Sequence, residues 1–217
     1  MTAIRVLLVD DHAVVREGYR SLLEKQPDIE VAGDVSTADA AVRLASSEAI
    51  DVAVIDLNMP GKGGLELIPL LVRRERTVRC LVFSMHLQAE WAQQAFKAGA
   101  LGYVSKSSEP EQLIEAIRSV ARNTRYLSPD IETELALRQL NSDKTLLNDL
   151  TSREFEILRL LIAGNEVDAI AETLHLSPKT IRNVHYAVKS KLGVRDDIEL
   201  MRLAIKLGLV DSPSAEE

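Results

Sequence analysis

The amino-acid sequence predicts two folds in tandem: an α/β doubly wound five-stranded parallel sheet, then an all-α unit of four helices. Three observations carry this reading. Short β-type runs alternate five times with helical patterns across the first half of the chain. The first, third and fourth of these runs are almost continuously apolar, as strands covered on both faces are. From residue 148 onward the β-type runs stop, and only helical spacing remains.

The strands are expected at 4–9 (IRVLLV), 29–33 (IEVAG), 51–55 (DVAVI), 79–83 (RCLVF) and 101–104 (LGYV). Helical spacing fills 14–25, 37–48, 64–75, 88–99 and 109–122. Gly99 is a C-cap signal for the fourth helix, and Pro110 suits the first turn of the fifth. Pro69 falls inside the third pattern and is expected to kink or shorten it. This first domain is assigned to residues 1–121. Residues 122–147 read as a linker with a helix: TRYLSPD is turn-rich, IETELALRQL is weakly helical, and NSDKT is polar.

The second domain is assigned to 148–217. Thr151 and Glu154 have capping-box spacing before EILRLLI, and Gly164 closes that helix. VDAIAETLH is a short amphipathic helix. Ser177 and Pro178 start the third helix as N-cap and first residue. Residues 197–208 form the last, and DSPSAEE reads as a frayed tail.

Composition narrows the class. The lone cysteine, Cys80, excludes a disulfide framework within the chain and sits in an apolar run, as a core residue does. No run reaches the roughly 18 apolar residues of a membrane span. The N-terminal apolar run is too short for a signal peptide, so a soluble, cytoplasmic protein is expected. Net charge is −7, yet the window from Thr173 to Arg195 holds five basic residues and no acid.

Open parallel sheets place their sites at the carboxyl ends of strands. Asp10 and Asp11 follow the first strand, Asp56 the third, and Lys106 the fifth, while Ser84 ends the fourth. Any one aspartate there is more often a turn former. Three converging carboxylates repel one another unless a cation arrives, and hard oxygen donors suit Mg2+. A metal and a lysine around one accessible carboxylate are what phosphoryl transfer onto that carboxylate requires.

VDD at 9–11, IDLNMPG at 55–61, FS at 83–84 and GALGYVSK at 99–106 together resemble the receiver domain (flavodoxin-like) of two-component response regulators. The resemblance implies that Asp56 accepts a phosphoryl group from a sensor histidine kinase. It implies that Mg2+ is held by Asp10, Asp11, Asp56 and the Asn58 backbone carbonyl, with Asp10 acting through water. Ser84 would move to the phosphoryl oxygen, Tyr103 would turn inward after it, and Lys106 would pair with the phosphoryl group. His86 and Asn58 stand where the family tunes dephosphorylation, and Ser107 replaces the proline many receivers carry. Aspartyl-nucleophile phosphohydrolases carry a second acid two residues past the nucleophile, where this chain has Asn58. Turnover of a small phosphate ester is therefore not expected; the domain would catalyse only its own phosphorylation and dephosphorylation.

LTSRE, LSPKT and KLGV, spread over 148–210, resemble the helix-turn-helix of LuxR/NarL-type (FixJ-type) response regulators. The resemblance makes VDAIAETL the scaffold helix and Pro178–Lys191 the recognition helix, lying in the major groove of double-stranded DNA. The charge window supports this independently, because phosphate contacts need cations and these five are expected to lack acid partners. Arg182, Asn183 and Tyr186 share one face and are assigned to bases; Lys179, Thr180 and Lys189 are assigned to phosphate. Two departures from the family pattern stand out. Val167-Asp168-Ala169 replaces Asn-Lys-Glu, and Val184 replaces a histidine that here comes one residue later, as His185. The expected function is a phosphorylation-switched transcription regulator, a homodimer when active; of Ile198, Met201, Leu203, Ala204, Ile205 and Leu207 on the last helix, some are expected to pack within the domain and the remainder to form a dimer seam. The rival reading is a protein-binding adaptor with a degenerate helix-turn-helix.

Overall fold

A computed structural model describes residues 3–59, 61–74, 77–140, 146–207 and 209–210. The chain divides into two compact units, Met1–Asp143 and Lys144–Glu217. In the first, β1 (Ile4–Val9), β2 (Ile29–Val35), β3 (Val52–Ile55), β4 (Arg79–Ser84) and β5 (Gly102–Ser105) alternate with five helices. These are α1 (Ala13–Leu23), α2 (Ala38–Ser47), α3 (Gly64–Arg74), α4 (Ala89–Ala98) and α5 (Pro110–Ala121). All pairings are parallel, and the sheet order is β2-β1-β3-β4-β5-β6.

The sixth strand, β6 (Tyr126–Leu127), amends the expected five. It pairs with β5 in the register Gly102↔Tyr126 and Tyr103↔Leu127. α6 (Pro129–Leu140) follows directly, so most of the stretch read as a linker is built into the first unit. Ser128 and Ile131 are fully buried, which explains why this segment holds to the sheet.

The strand pattern follows burial. Every residue of β3 and β5 is buried, while β2, at the edge, buries only Ile29. Val6, Leu8, Val54, Leu81, Phe83 and Val104 pack on one face with Leu113, Ile117 and Val120 of α5. α3 runs through Pro69 without being shortened. Leu67, Ile68 and Leu71 are almost wholly buried around that point, and this packing outweighs one missing backbone bond. Gly99 ends α4 at φ +112°, a left-handed conformation that glycine adopts without a Cβ penalty. Cys80 lies on β4 at 0 % exposure, and burial pushes its thiol up to about 12.

The second unit opens with a 3-10 turn at Leu146–Asp149, then α7 (Ser152–Ile162), α8 (Val167–Thr173), α9 (Pro178–Leu192) and α10 (Asp197–Lys206). The capping box of Thr151 and Glu154 is formed in both directions. Ser177 caps α9 by accepting from the Thr180 N–H, with Pro178 in the first turn. Ile157, Ile170, Ala171, Leu174 and Ile181 form the core, and Val167 and Val184 pack against it. No helix among the described residues is long and apolar enough to cross a membrane. The tail expected at 211–217 lies outside the described residues.

Candidate functional site

In the first unit the chain passes up β1, returns to β2 on one side, then crosses to β3 on the other. The carboxyl ends of β1 and β3 therefore flank a topological switch point, where open sheets leave a crevice. Backbone bonds extend the ladder just past the strand ends. Asp10 N–H donates to Val35 O (3.1 Å), Asp56 N–H to Val9 O (2.8 Å), and Lys106 N–H to Ser84 O (2.8 Å). The side chains of the pocket are thus set by the sheet rather than by free loops. A Cβ on Gly64 would lie 2.2 Å from the Asp56 carbonyl oxygen, so only glycine lets the start of α3 close on the Asp56 backbone.

Asp10 and Asp56 are buried, and Lys106 Nζ bridges them at 2.5 Å to Asp10 Oδ2 and 2.7 Å to Asp56 Oδ2. Burial alone would pull the Lys106 ammonium down, but its hydrogen bonds to Asp10 and Asp56 win and hold it above the ordinary lysine value. Asp10 Oδ1 accepts from the His12 N–H at 2.7 Å, and Asp56 Oδ1 from the Asn58 N–H at 3.2 Å. Arg16 Nη1 donates to the Asp10 carbonyl at 2.5 Å.

Asp10, Asp11, His12 and Asp56 each offer one ligand atom, all within 4.8 Å of one another. Asp11 Oδ1 is shielded from solvent and takes no well-formed hydrogen bond; the nearest cation-capable atom is His12 Nδ1 at 2.9 Å. An oxygen left so, beside two more carboxylates, fits a hard divalent cation such as Mg2+. His12 is the member that sequence reasoning missed. The signal was visible in DDH, but the direction of its ring was not.

Ser84, His86, Tyr103 and Asn58 form one connected cluster. Ser84 is fully buried, and its Oγ faces the His86 N–H at 3.4 Å. Tyr103 O–H donates to the His86 carbonyl at 2.9 Å. The His86 ring stacks on Trp91 (4.0 Å, 9°), and its Nε2 lies 3.0 Å from Asn58 Oδ1. Tyr103 was expected to turn inward after Ser84 moved; here its ring is already inside, at 0 % exposure, and burial raises its hydroxyl's pKa. Burial gives that ring apolar cover, and the His86 carbonyl gives its hydroxyl an acceptor. At the proline-replacing Ser107, Ser105 Oγ and Ser107 Oγ lie 2.6 Å apart, and Ser107 N–H donates to Ser105 Oγ at 3.1 Å. Ser105 N–H in turn donates to Ser128 Oγ (3.3 Å), and Ser128 N–H to Tyr103 O (3.0 Å). The strand carrying Tyr103 and leading to Lys106 is therefore bonded to the start of α6.

The second unit presents a different surface. Ile181, Val188 and Leu192 bury one face of α9. Lys179, Thr180, Arg182, Asn183 and Tyr186 are exposed, with Tyr186 at 76 %. Lys179, Arg182, Asn183 and Tyr186 follow i, i+3, i+4, i+7 spacing and share the outer face. Lys179 and Arg182 meet no carboxylate among the described residues.

Lys189, assigned to phosphate, meets an acid within its own unit. Its Nζ lies 2.9 Å from Asp197 Oδ1, and His185 Nε2 lies 2.9 Å from the same oxygen. Lys191 Nζ lies 2.7 Å from Glu154 Oε2. The expectation that the basic window lacks acid partners is thereby corrected: the acids come from α7 and α10, which frame the window in space and not in sequence. The hydrogen bond from Lys189, then the charge of His185, hold the Asp197 carboxyl below the usual carboxylate range. Val184 packs on the core, which accounts for valine there, while Asp168 and Ala169 are exposed. On α10, Leu200, Ala204 and Leu207 face inward, whereas Ile198 is 67 % exposed and Met201 and Ile205 are half-buried.

Comparison with known proteins agrees with both sites. Residues 6–118 match the response regulator receiver domain, and 148–204 match the luxR family of bacterial regulatory proteins. The response regulator UvrY of Escherichia coli (strain K12) is 39 % identical over 211 residues, covering 96 % of this chain and 97 % of UvrY. The response regulator GacA of Pseudomonas aeruginosa is 33 % identical over 213 residues, covering 97 % and 100 %. RcsB from Salmonella enterica serovar Typhimurium, solved bound to the promoter rprA with a phosphomimetic, superposes with a TM-score of 0.71 at 27 % identity, covering 93 % and 98 %. With a receiver fold whose strand ends bring two buried carboxylates onto one lysine, and a LuxR-type helix-turn-helix following in the sequence, this chain belongs to the two-component response regulators, as a LuxR-family DNA-binding transcription regulator.

Proposed function

We propose that Asp56 accepts a phosphoryl group from the phosphohistidine of a sensor histidine kinase, and that this changes dimerisation and sequence-specific DNA binding. The observation that carries the reading is Lys106 seated between Asp10 and Asp56 at a strand-end crevice. One Asp56 carboxylate oxygen attacks phosphorus, the P–N bond breaks, and the histidine nitrogen leaves with the electron pair. Asp10, Asp11, Asp56 and the Asn58 backbone carbonyl would hold Mg2+, which supplies neutralisation of the phosphoryl oxygens. Lys106 already lies within hydrogen-bond reach of the nucleophile and needs only to pass from a carboxylate oxygen to a phosphoryl oxygen.

Ser84 would donate to the same group, and its shift would be felt by His86 and Tyr103 through the contacts described above, which support this reading. The Ser105–Ser128 bonds offer a route from β5 to α6, the segment that leads toward the second unit. This biases a two-state element, as receiver switches require. Asn58 stands where a phosphohydrolase needs its acid, so the protein acts as a switch and not as a turnover enzyme, working in the cytoplasm.

In the second unit, Arg182 and Asn183 are assigned to base edges, with Tyr186 beside them, and Lys179 and Thr180 to phosphate. The promoter-bound state of RcsB supports double-stranded DNA as the partner. Ile198, Met201 and Ile205, at i, i+3 and i+7 on the outer side of α10, are the proposed homodimer seam; Leu200, Ala204 and Leu207 are committed to the core. The test is DNA binding with and without acetyl phosphate. Phosphorylation should change affinity for a promoter duplex, Asp56→Asn should abolish the change, and Arg182→Ala should abolish binding. Binding insensitive to Arg182→Ala would favour the adaptor reading instead.

A further inference from the structure

We propose that Asp197 sets the sequence-independent part of DNA affinity by withholding a cation: its carboxylate engages Lys189, beside His185, so the ammonium does not contribute to phosphate contacts. The inference rests on the reading that α9 enters the groove. His185 and Lys189 are one helical turn apart and lie on the same side of α9. They border the exposed face formed by Lys179, Arg182 and Tyr186, on the flank toward α10. Both converge on one oxygen, Asp197 Oδ1, at 2.9 Å each.

That carboxylate is well placed to stay. Asp197 opens α10, where the helix dipole favours an anion. The preceding Asp196 caps the helix by accepting from the Glu199 N–H, fixing the chain at that point. Asp197 is nonetheless 67 % exposed, so it faces whatever approaches α9. A DNA phosphate arriving at Lys189 would meet a second anion already bonded to the ammonium. It would have to displace that anion or accept its repulsion.

The chemistry affects one class of contact. Phosphate contacts carry no sequence information, while base contacts from the outer face do. Removing a cation from the phosphate set therefore weakens binding to all sequences alike, and leaves discrimination to Arg182 and its neighbours. Asp197 in this account is a positioning residue that touches no base.

The test uses the full-length chain and a labelled random-sequence duplex, followed by fluorescence anisotropy across a salt series. Asp197→Asn should bind that duplex roughly fivefold more tightly at low salt, with a salt slope steeper by about 0.9, the signature of one more phosphate contact. Asp197→Glu should return both to wild type, since it restores the carboxylate. Lys189→Ala should change little alone and should cancel the gain when combined with Asp197→Asn. A merely structural Asp197 would move thermal stability without moving the slope. Unchanged or weaker binding by Asp197→Asn, with a native far-ultraviolet spectrum, would overturn the proposal, as would a Lys189→Ala loss equally large in both backgrounds. If Arg182→Ala also leaves binding unmoved, the groove reading itself is overturned; if Arg182→Ala weakens binding while Asp197→Asn does nothing, only the present proposal is.

Discussion

Two lysines in this chain each meet carboxylates at hydrogen-bond distance, yet they do opposite work. Lys106 sits 2.5 and 2.7 Å from Asp10 and Asp56, and its side chain is 9 % exposed. Lys189 sits 2.9 Å from Asp197, with the lysine at 21 % and the aspartate at 67 % exposure. At Lys106 the low local dielectric makes the bridge essential, because two buried carboxylates share it. At Lys189 water screens the pair, and its effect on stability is small. Contact distance alone does not rank these interactions; burial does. The buried bridge holds two carboxylates of the first unit on one cation, whereas the exposed one ties a lysine of α9 to the start of α10.

The largest effect should come from Lys106→Met. It leaves Asp10 and Asp56 without their cation and should cost the first unit about 3 kcal/mol in denaturant unfolding, the usual toll of breaking a buried pair. A loss below about 1 kcal/mol would break the contrast. Mg2+ offers a second cation, so adding it should raise the midpoint of the first unit's transition, by mass action, in wild type and in Lys106→Met. It should leave the second unit's transition where it was, and scanning calorimetry separates the two.

Titration sharpens the contrast further. Lys106 is held above 10.5 in the folded chain, so its stabilisation is fully present below 10.5 and is lost as pH climbs through the folded value. Asp197 is held below 3.8, so its contribution is present above 3.8 and disappears as pH falls. Melting followed from neutral to strongly alkaline pH should therefore weaken the first unit first. The smallest effect should be Asp197→Asn on stability, under about 0.5 kcal/mol by denaturant, even though its effect on DNA binding is measurable.

Much of this was legible in the residues. The apolar runs of β1, β3 and β4 announced buried parallel strands, and Asp10, Asp56 and Ser84 fall at strand ends because those runs stop there. The caps at Thr151 and Ser177 also follow from local chemistry. What could not be read was contact between distant segments. β6 has only two residues, too few for any periodicity, and is fixed by pairing with β5. The acid partners of Lys189 and Lys191 lie on other helices, so an acid-free window in sequence is not acid-free in space. The inward Tyr103 ring is a rotamer choice made by its packing and the His86 carbonyl, and nothing in YVSK encodes it.

The central claim is that the carboxylate bridged by Lys106 is the phosphoacceptor. Intact mass after incubation with Mg2+ and acetyl phosphate tests it most directly, comparing wild type with Asp56→Asn. One added phosphoryl group on wild type and none on the variant is the predicted result. Equal labelling of the two proteins, or labelling of neither, would contradict the account.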